Sequence, residues 1–387
     1  VGHAVRILFV SSDQGGCRYY RCLLPAQELS RQGGHEVLVA GSLAQLRSGE
    51  IVAPSADDPR TFTRGFELVV LQRWMHQDAA EVTRMARAYG QIVINDVDDW
   101  FFGIPTSNAA FRGSHKSNDP TWNIEHYRRV LAASSALTVS TPYLAERLTS
   151  LGRPVYTIRN HIDIERWTPA TVAPRSLVLG WVGHMAHRAA GDLGQLAGVL
   201  GPWMSRYQHA RFLHAGSDGE ADHEAMLKLL AVTPDRLMTR GLRNIRFLPQ
   251  LIHGMDIGLA PLEECPFNFA KSNVKVLEYG AAGVPAIASD RPEYRQFGAV
   301  ALCKTASDWT AALDRLADPG ERLAAAVAAR ARAREFDIRA GWSQWESVYE
   351  RVIADAKGES LGSPSRPSLI VPASSFRRRK PKRRART

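Results

Sequence analysis

The sequence has no run approaching the roughly 20 consecutive apolar residues that cross a bilayer. Its start, VGHAVRILFV, lacks the basic residues and long apolar stretch of a secretory signal, and AVRILFV reads as a first core strand. Cysteine is scarce. Cys17, Cys22, Cys265 and Cys303 are the four in 387 residues, with neither a C-x-x-C spacing nor a disulfide framework. The reading is of free thiols in a reducing, cytoplasmic setting. Charge imbalance is also missing from most of the chain, although the total is +10. Residues 357–387 hold ten Lys/Arg and one acid, a net of +9, which leaves +1 for residues 1–356. The basicity therefore belongs to a tail. A dinucleotide fingerprint G-x-G-x-x-G is absent, and Gly15-Gly16 is either a phosphate-facing loop or a tight turn into the first helix. His184 and His187 form H-x-x-H, but without a nearby third ligand they do not make a zinc site.

What is present is an alternation of short apolar runs and helical stretches over more than 350 residues, long enough for two α/β domains. Residues 5–10, HEVLVA, ELVVL, QIVIN, ALTVS and PVYTI read as buried strands of the first half. Residues 103–124, rich in Ser, Asn, Gly and Pro, read as a long loop. In the second half SLVLGWVG, ARFLHAG and NIRFLP read as strands, with helices near 190–207 and 222–231. Trp342, Trp345, Tyr349 and Val352 lie on one face of a final amphipathic helix. From residue 358 the composition turns to Gly, Ser, Pro and Arg, which predicts a disordered basic tail.

Two stretches carry chemistry. NDVDDWFFGIP places Asp96, Asp98 and Asp99 at a strand end, where open α/β sheets bind ligands. Acids there either bind hydroxyls and take a proton, or cap the following turn. The other is DIGLAPLEECPFNFAKSNVKVLEYGAAGVPAIASD, residues 256–290, read as strand, loop, helix, strand. Ser272 is the expected helix cap, and Gly280 and Gly283 the expected breakers. Lys271 and Lys275 crowd a helix N-terminus that is already positive, which favours a bound anion. Glu278 follows one turn later on the same face. The alternative is an ordinary solvated Lys/Glu face.

KSNVKVLEYGAAGVPAIASD resembles the donor-site segment of GT-B fold glycosyltransferases, in particular the retaining family 4 (glycosyl transferases group 1). RNHIDIERWTP resembles that family's interdomain stretch through Asn160, Asp163 and Trp167, and GHMAHRAAGDL its second-domain loop through Gly183, His187 and Asp192. The resemblance implies two Rossmann-like domains facing a cleft, with a C-terminal helix crossing back. The segments would be 1–168 (acceptor side), 169–338 (nucleotide-sugar side), 339–357 (the returning helix) and 358–387 (the tail). It implies a diphosphate site at Gly183, His184, Arg188, Lys271, Ser272, Asn273 and Lys275, and a ribose site at Glu278. It assigns the sugar and acceptor loops to Gly15, Gly16, Glu263 and Glu264, and the chemistry to Asp96, Asp98, Asp99 and His187. The first acid of the family's E-x7-E pair would fall at Ala270, and Glu263 and Glu264 are the nearest carboxylates upstream. The implied reaction is metal- and cofactor-free sugar transfer, with retention, from a nucleoside diphosphate sugar to an unidentified acceptor. Two other readings stay open: a degenerate donor-binding module whose tail binds nucleic acid, and a sugar-nucleotide epimerase. The tail would meet an anionic membrane surface or nucleic acid.

Overall fold

A computed structural model describes residues 4–40, 65–168, 177–183, 191–216, 219–241 and 244–358. Twelve strands form two sheets of six, each parallel throughout. The first holds β1 (Arg6–Ser11), β2 (Glu36–Ala40), β3 (Leu68–Gln72), β4 (Ile92–Val97), β5 (Ala136–Val139) and β6 (Val155–Thr157) in the order β2-β1-β3-β4-β5-β6. The second holds β7 (Leu177–Val182), β8 (Ala210–Ala215), β9 (Leu237–Arg240), β10 (Ile257–Ala260), β11 (Ala286–Ser289) and β12 (Ala301–Cys303) in the order β12-β11-β10-β7-β8-β9. Parallel sheets are covered on both faces, so their central strands are buried and largely apolar. Every residue of β3, β4, β10 and β11 is buried accordingly.

Each order reverses once, between β1 and β3 in the first sheet and between β7 and β10 in the second. At such a point neighbouring connections leave to opposite faces and open a crevice beyond the carboxyl ends of the strands. The loops after β1, β3, β7 and β10 are therefore where a ligand site belongs.

Several local expectations change. NIRFLP is a short 3-10 turn running into the helix Leu248–Ile252, and the edge strand is the less apolar Leu237–Arg240. Residues 103–124 contain a short helix, Ala109–Arg112. The helix near 190–207 is a 3-10 turn at Leu193–Leu196 followed by Leu200–Arg206. Gly280 lies inside the helix Val274–Ala281, where a Cβ would sit 2.8 Å from the Ala329 carbonyl oxygen. It allows close approach to the helix Pro319–Arg334. Gly283, at φ +72°, turns the chain out of its own helix.

The last helix, Ser343–Lys357, packs onto the first sheet's side. Tyr349 meets Phe9 with ring centroids 6.2 Å apart, and Trp345 lies under the Arg21 guanidinium at 4.5 Å. Two more strands of chain tie the halves together, since Ile162 exchanges backbone hydrogen bonds with Phe336 and Ile338. No helix among the described residues is long and apolar enough to cross a membrane. The tail from residue 359 onward lies outside the described residues.

Candidate active site

Both carboxyl edges open onto one cavity of about 370 Å³. The loop after β1 contributes Gly16, Cys17 and Tyr20, and the end of β4 contributes Asp98 and Asp99. From the other side come Gly183 after β7, Leu262 after β10, and Lys271, Ser272, Lys275 and Glu278 around the start of the Val274–Ala281 helix. Of the residues singled out in the sequence, Gly16, Asp98, Asp99, Gly183, Lys271, Ser272, Lys275 and Glu278 thus share a cavity. His184, His187 and Arg188 lie outside the described residues.

The helix Val274–Ala281 begins after Asn273, its cap residue, without a side-chain cap bond. Ser272 is therefore not the cap. Its Oγ accepts a 2.9 Å hydrogen bond from Asn160 Nδ2, which ties the interdomain stretch to the helix start. Asn273 is buried and does not line the cavity. The Lys275 ammonium donates to the Val182 carbonyl at the end of β7. Burial pushes Lys275 below its ordinary value. Glu278 accepts a 2.6 Å hydrogen bond from the Tyr20 hydroxyl. Burial, opposed by Lys275, pushes its carboxyl up to about 7. For both groups the cost of burial outweighs the partners present.

Other placements correct the sequence reading. Gly183 borders the cavity, but its N–H donates to Ala215 O at 2.9 Å and is not free for a phosphate. Glu264 is exposed, and Glu263 packs beside Gly191 with its backbone N–H bonded to Asp192 Oδ1 at 2.9 Å. Neither borders the cavity, nor does Gly15. Asp96 lies within β4, fully buried, and both its oxygens are taken by Arg21 at 2.8 and 2.7 Å, with Thr138 adding a 2.7 Å bond. It is a structural ion-pair partner and cannot reach a substrate.

The sequence reading missed three residues. Arg21 also bonds Ile158 O at 2.6 Å and Asn160 Oδ1 at 3.0 Å, so a buried chain of contacts runs from Asp96 to Ser272. Tyr20 precedes it in a π-helical turn, Tyr19–Leu23, between the short helices Gly16–Arg18 and Leu24–Arg31. Such turns recur at functional sites because they re-aim successive side chains. Here Tyr20 reaches Glu278 while Arg21 turns to Asp96. Arg73 follows β3 directly and holds φ +56°, unusual for a residue with a side chain. Its Nη2 lies 2.8 Å from Asp98 Oδ2 and 2.7 Å from Cys17 Sγ. Burial opposes ionisation of Asp98, but Arg73, the Cys17 thiol and Lys271 together hold the carboxyl below its ordinary range. Nothing in the local sequence marked Arg73, which follows Gln72 at the end of β3.

Cys17, Asp98 and Asp99 offer ligand atoms within 4.8 Å of one another, the geometry of a possible cation site. Arg73 and Lys271 already occupy that cluster, with Lys271 Nζ 2.7 Å from Asp99 Oδ1. The donor set fits two protein cations better than a metal ion.

No family model matches the sequence. A glycosyltransferase of Bacillus subtilis named for teichuronic acid biosynthesis, TuaH, is 25% identical over 180 residues, 42% of this chain and 42% of that relative. HepE of Anabaena, in complex with UDP and glucose, superposes with a TM-score of 0.60 over 90% of this chain and all of its own, at 14% identity. A glycosyltransferase of Rickettsia africae does so with a TM-score of 0.62 over 91% and 99%, at 13% identity. The chain has the GT-B fold. In that frame the cavity is the cleft between the two Rossmann-like halves.

Proposed function

We propose that the protein is a glycosyltransferase that moves a sugar, with retention, from a nucleoside diphosphate sugar to an acceptor hydroxyl. One observation carries this reading: Lys271, Lys275 and Glu278 converge beside the Val274–Ala281 helix start, inside the cleft of a GT-B fold. The two ammonium groups and the free N–H groups of the helix suit a diphosphate, and Glu278 suits the adjoining ribose hydroxyls. As the glycosidic bond breaks, negative charge grows on the leaving diphosphate. Preorganised cations in a dry cleft stabilise that charge more than they stabilise the bound donor. Retention is supported by the intact K-S-x-x-K-x-x-E run at residues 271–278. HepE was solved in complex with UDP and glucose, so UDP-sugars are the first donors to try.

The reaction needs no metal or cofactor. The tail, residues 358–387, brings the otherwise nearly neutral enzyme to a polyanion, for which an anionic membrane surface is the favoured choice. Thermal shift with UDP-, GDP- and ADP-sugars tests the donor assignment, because a bound donor stabilises the native state by mass action. Stabilisation by one of them, weakened in Lys271→Ala, is the expected result. No shift with any of them sinks the reading. The anomeric configuration of the product, compared with that of the donor, tests retention.

A further inference from the structure

The contact between Asp99 and Lys271 crosses the cleft from one half to the other. Asp99 is held on two sides. Its Oδ2 lies 3.8 Å from the Arg73 guanidinium, which is itself committed to Asp98 and Cys17. Its Oδ1 accepts from Lys271 Nζ at 2.7 Å. Lys271 also sits 4.4 Å above the Phe267 ring and borders the cavity next to Ser272. Burial works against its charge, yet Asp99 holds it above its ordinary value. The two side chains are 13% and 20% exposed, so the pair is little screened.

We infer that Lys271 is shared between Asp99 and the donor diphosphate, so that donor binding releases Asp99 Oδ1 to receive the acceptor hydroxyl. This rests on the donor-site reading above. A diphosphate carries more charge than a carboxylate and draws the ammonium toward itself. Asp99 Oδ1 then loses its partner while Arg73 keeps the carboxyl group in place. A buried carboxylate oxygen without a donor is costly, and an acceptor hydroxyl supplies one. The acceptor site is therefore completed only after the donor has bound, and the two substrates enter in that order.

The test is a double-mutant cycle read by calorimetric titration of UDP, GDP and ADP. The proteins are wild type, Asp99→Asn, Lys271→Ala and the double variant, with Asp99→Ser as a second replacement should the Asn variant fold poorly. Asp99→Asn should bind the preferred diphosphate about fivefold more tightly, because no carboxylate competes for the ammonium. Lys271→Ala should bind it more weakly, and in that background Asp99→Asn should change little. Water serves as the acceptor probe, with UDP-, GDP- and ADP-glucose as donors. Nucleotide release from the donor that binds best should be at least about tenfold slower in Asp99→Asn, although that variant binds more tightly. Unchanged or weaker diphosphate binding in Asp99→Asn overturns the inference, as does an undiminished gain in the Lys271→Ala background, which would mean simple charge repulsion. Undiminished release to water overturns the acceptor-side role. If wild type binds no diphosphate, or Lys271→Ala binds as well as wild type, the donor-site reading fails and the inference with it. If Lys271→Ala weakens binding but Asp99→Asn does not strengthen it, the inference alone falls.

Discussion

At the carboxyl edge of the first sheet, Asp98 and Asp99 close around Arg73, with Asp13 3.7 Å from its guanidinium. At the edge of the second sheet, Lys275 rests on a backbone carbonyl and Glu278 on a tyrosine hydroxyl. Burial is heavy at both edges, yet the outcomes are opposite. Asp98 and Arg73 are each pushed toward their charged forms, because the neighbouring opposite charge outweighs desolvation. Lys275 and Glu278 are pushed toward their neutral forms, because desolvation outweighs the partners present. The first edge is electrostatically complete in the protein alone. The second, in the proposed reading, is completed by a donor that brings negative charge to Lys275 and hydroxyl groups to Glu278. Desolvated ions that lack adequate partners mark a binding edge better than the mere number of charges does.

Four experiments can break or sharpen this contrast. The largest effect belongs to the self-sufficient side. Arg21→Met leaves Asp96 buried and unpaired, and should cost about 3–5 kcal/mol of stability in denaturant unfolding. A loss near zero would show that the first-sheet network is not a structural ion pair. Next, Lys275→Ala should weaken nucleoside diphosphate binding by about 2 kcal/mol, roughly 30-fold, in calorimetric titration. Its melting temperature without ligand should not fall, since a desolvated cation is removed.

The third effect is a pH dependence. The folded value of Glu278, about 7, lies above its ordinary 4.5. Its contribution to stability is whole below pH 4.5 and is lost as pH rises through 7. Glu278→Gln cannot ionise, so its stability relative to wild type should climb across that window. The gain should level off above it at on the order of 3 kcal/mol. Melting curves at pH 5 and pH 8.5 check this, and an equal difference at both would refute the assignment. The smallest effect is expected from EDTA, which should leave donor turnover unchanged because Arg73 and Lys271 already neutralise the Cys17, Asp98 and Asp99 cluster. Loss of turnover restored by Mg²⁺ or Mn²⁺ would reassign that cluster as a metal site.

Much of the fold was legible because parallel strands must be apolar on both faces. The apolar runs ILFV, LVVL, IVI and IGLA stand out between helical stretches. LMTR was missed as an edge strand since one side of an edge needs less burial, while NIRFLP misled because only its Leu248 and Pro249, at a helix start, are buried, and Phe247 is exposed. At the site, the Lys271, Lys275 and Glu278 spacing was readable because all three belong to one short helix and its entry. Asp96 was grouped with Asp98 and Asp99 on sequence proximity alone. Asp96 lies inside β4 against Arg21 and Thr138, whereas Asp98 and Asp99 follow the strand's end at Val97 and line the cavity.

The sequence by itself determined most of the strands, the Val274–Ala281 helix and the charges at its start, because these follow from periodicity and local residue type. It also set the division between a nearly neutral body and a basic tail. Only the tertiary structure decided how those charges are used. Tyr20 meets Glu278 across 258 positions of chain, and Asp99 meets Lys271 across 172. Arg21 and Arg73 were silent in the sequence, since an arginine's role is set by the carboxylates that surround it. Those carboxylates are assembled by the order of strands in a sheet, which no local pattern encodes.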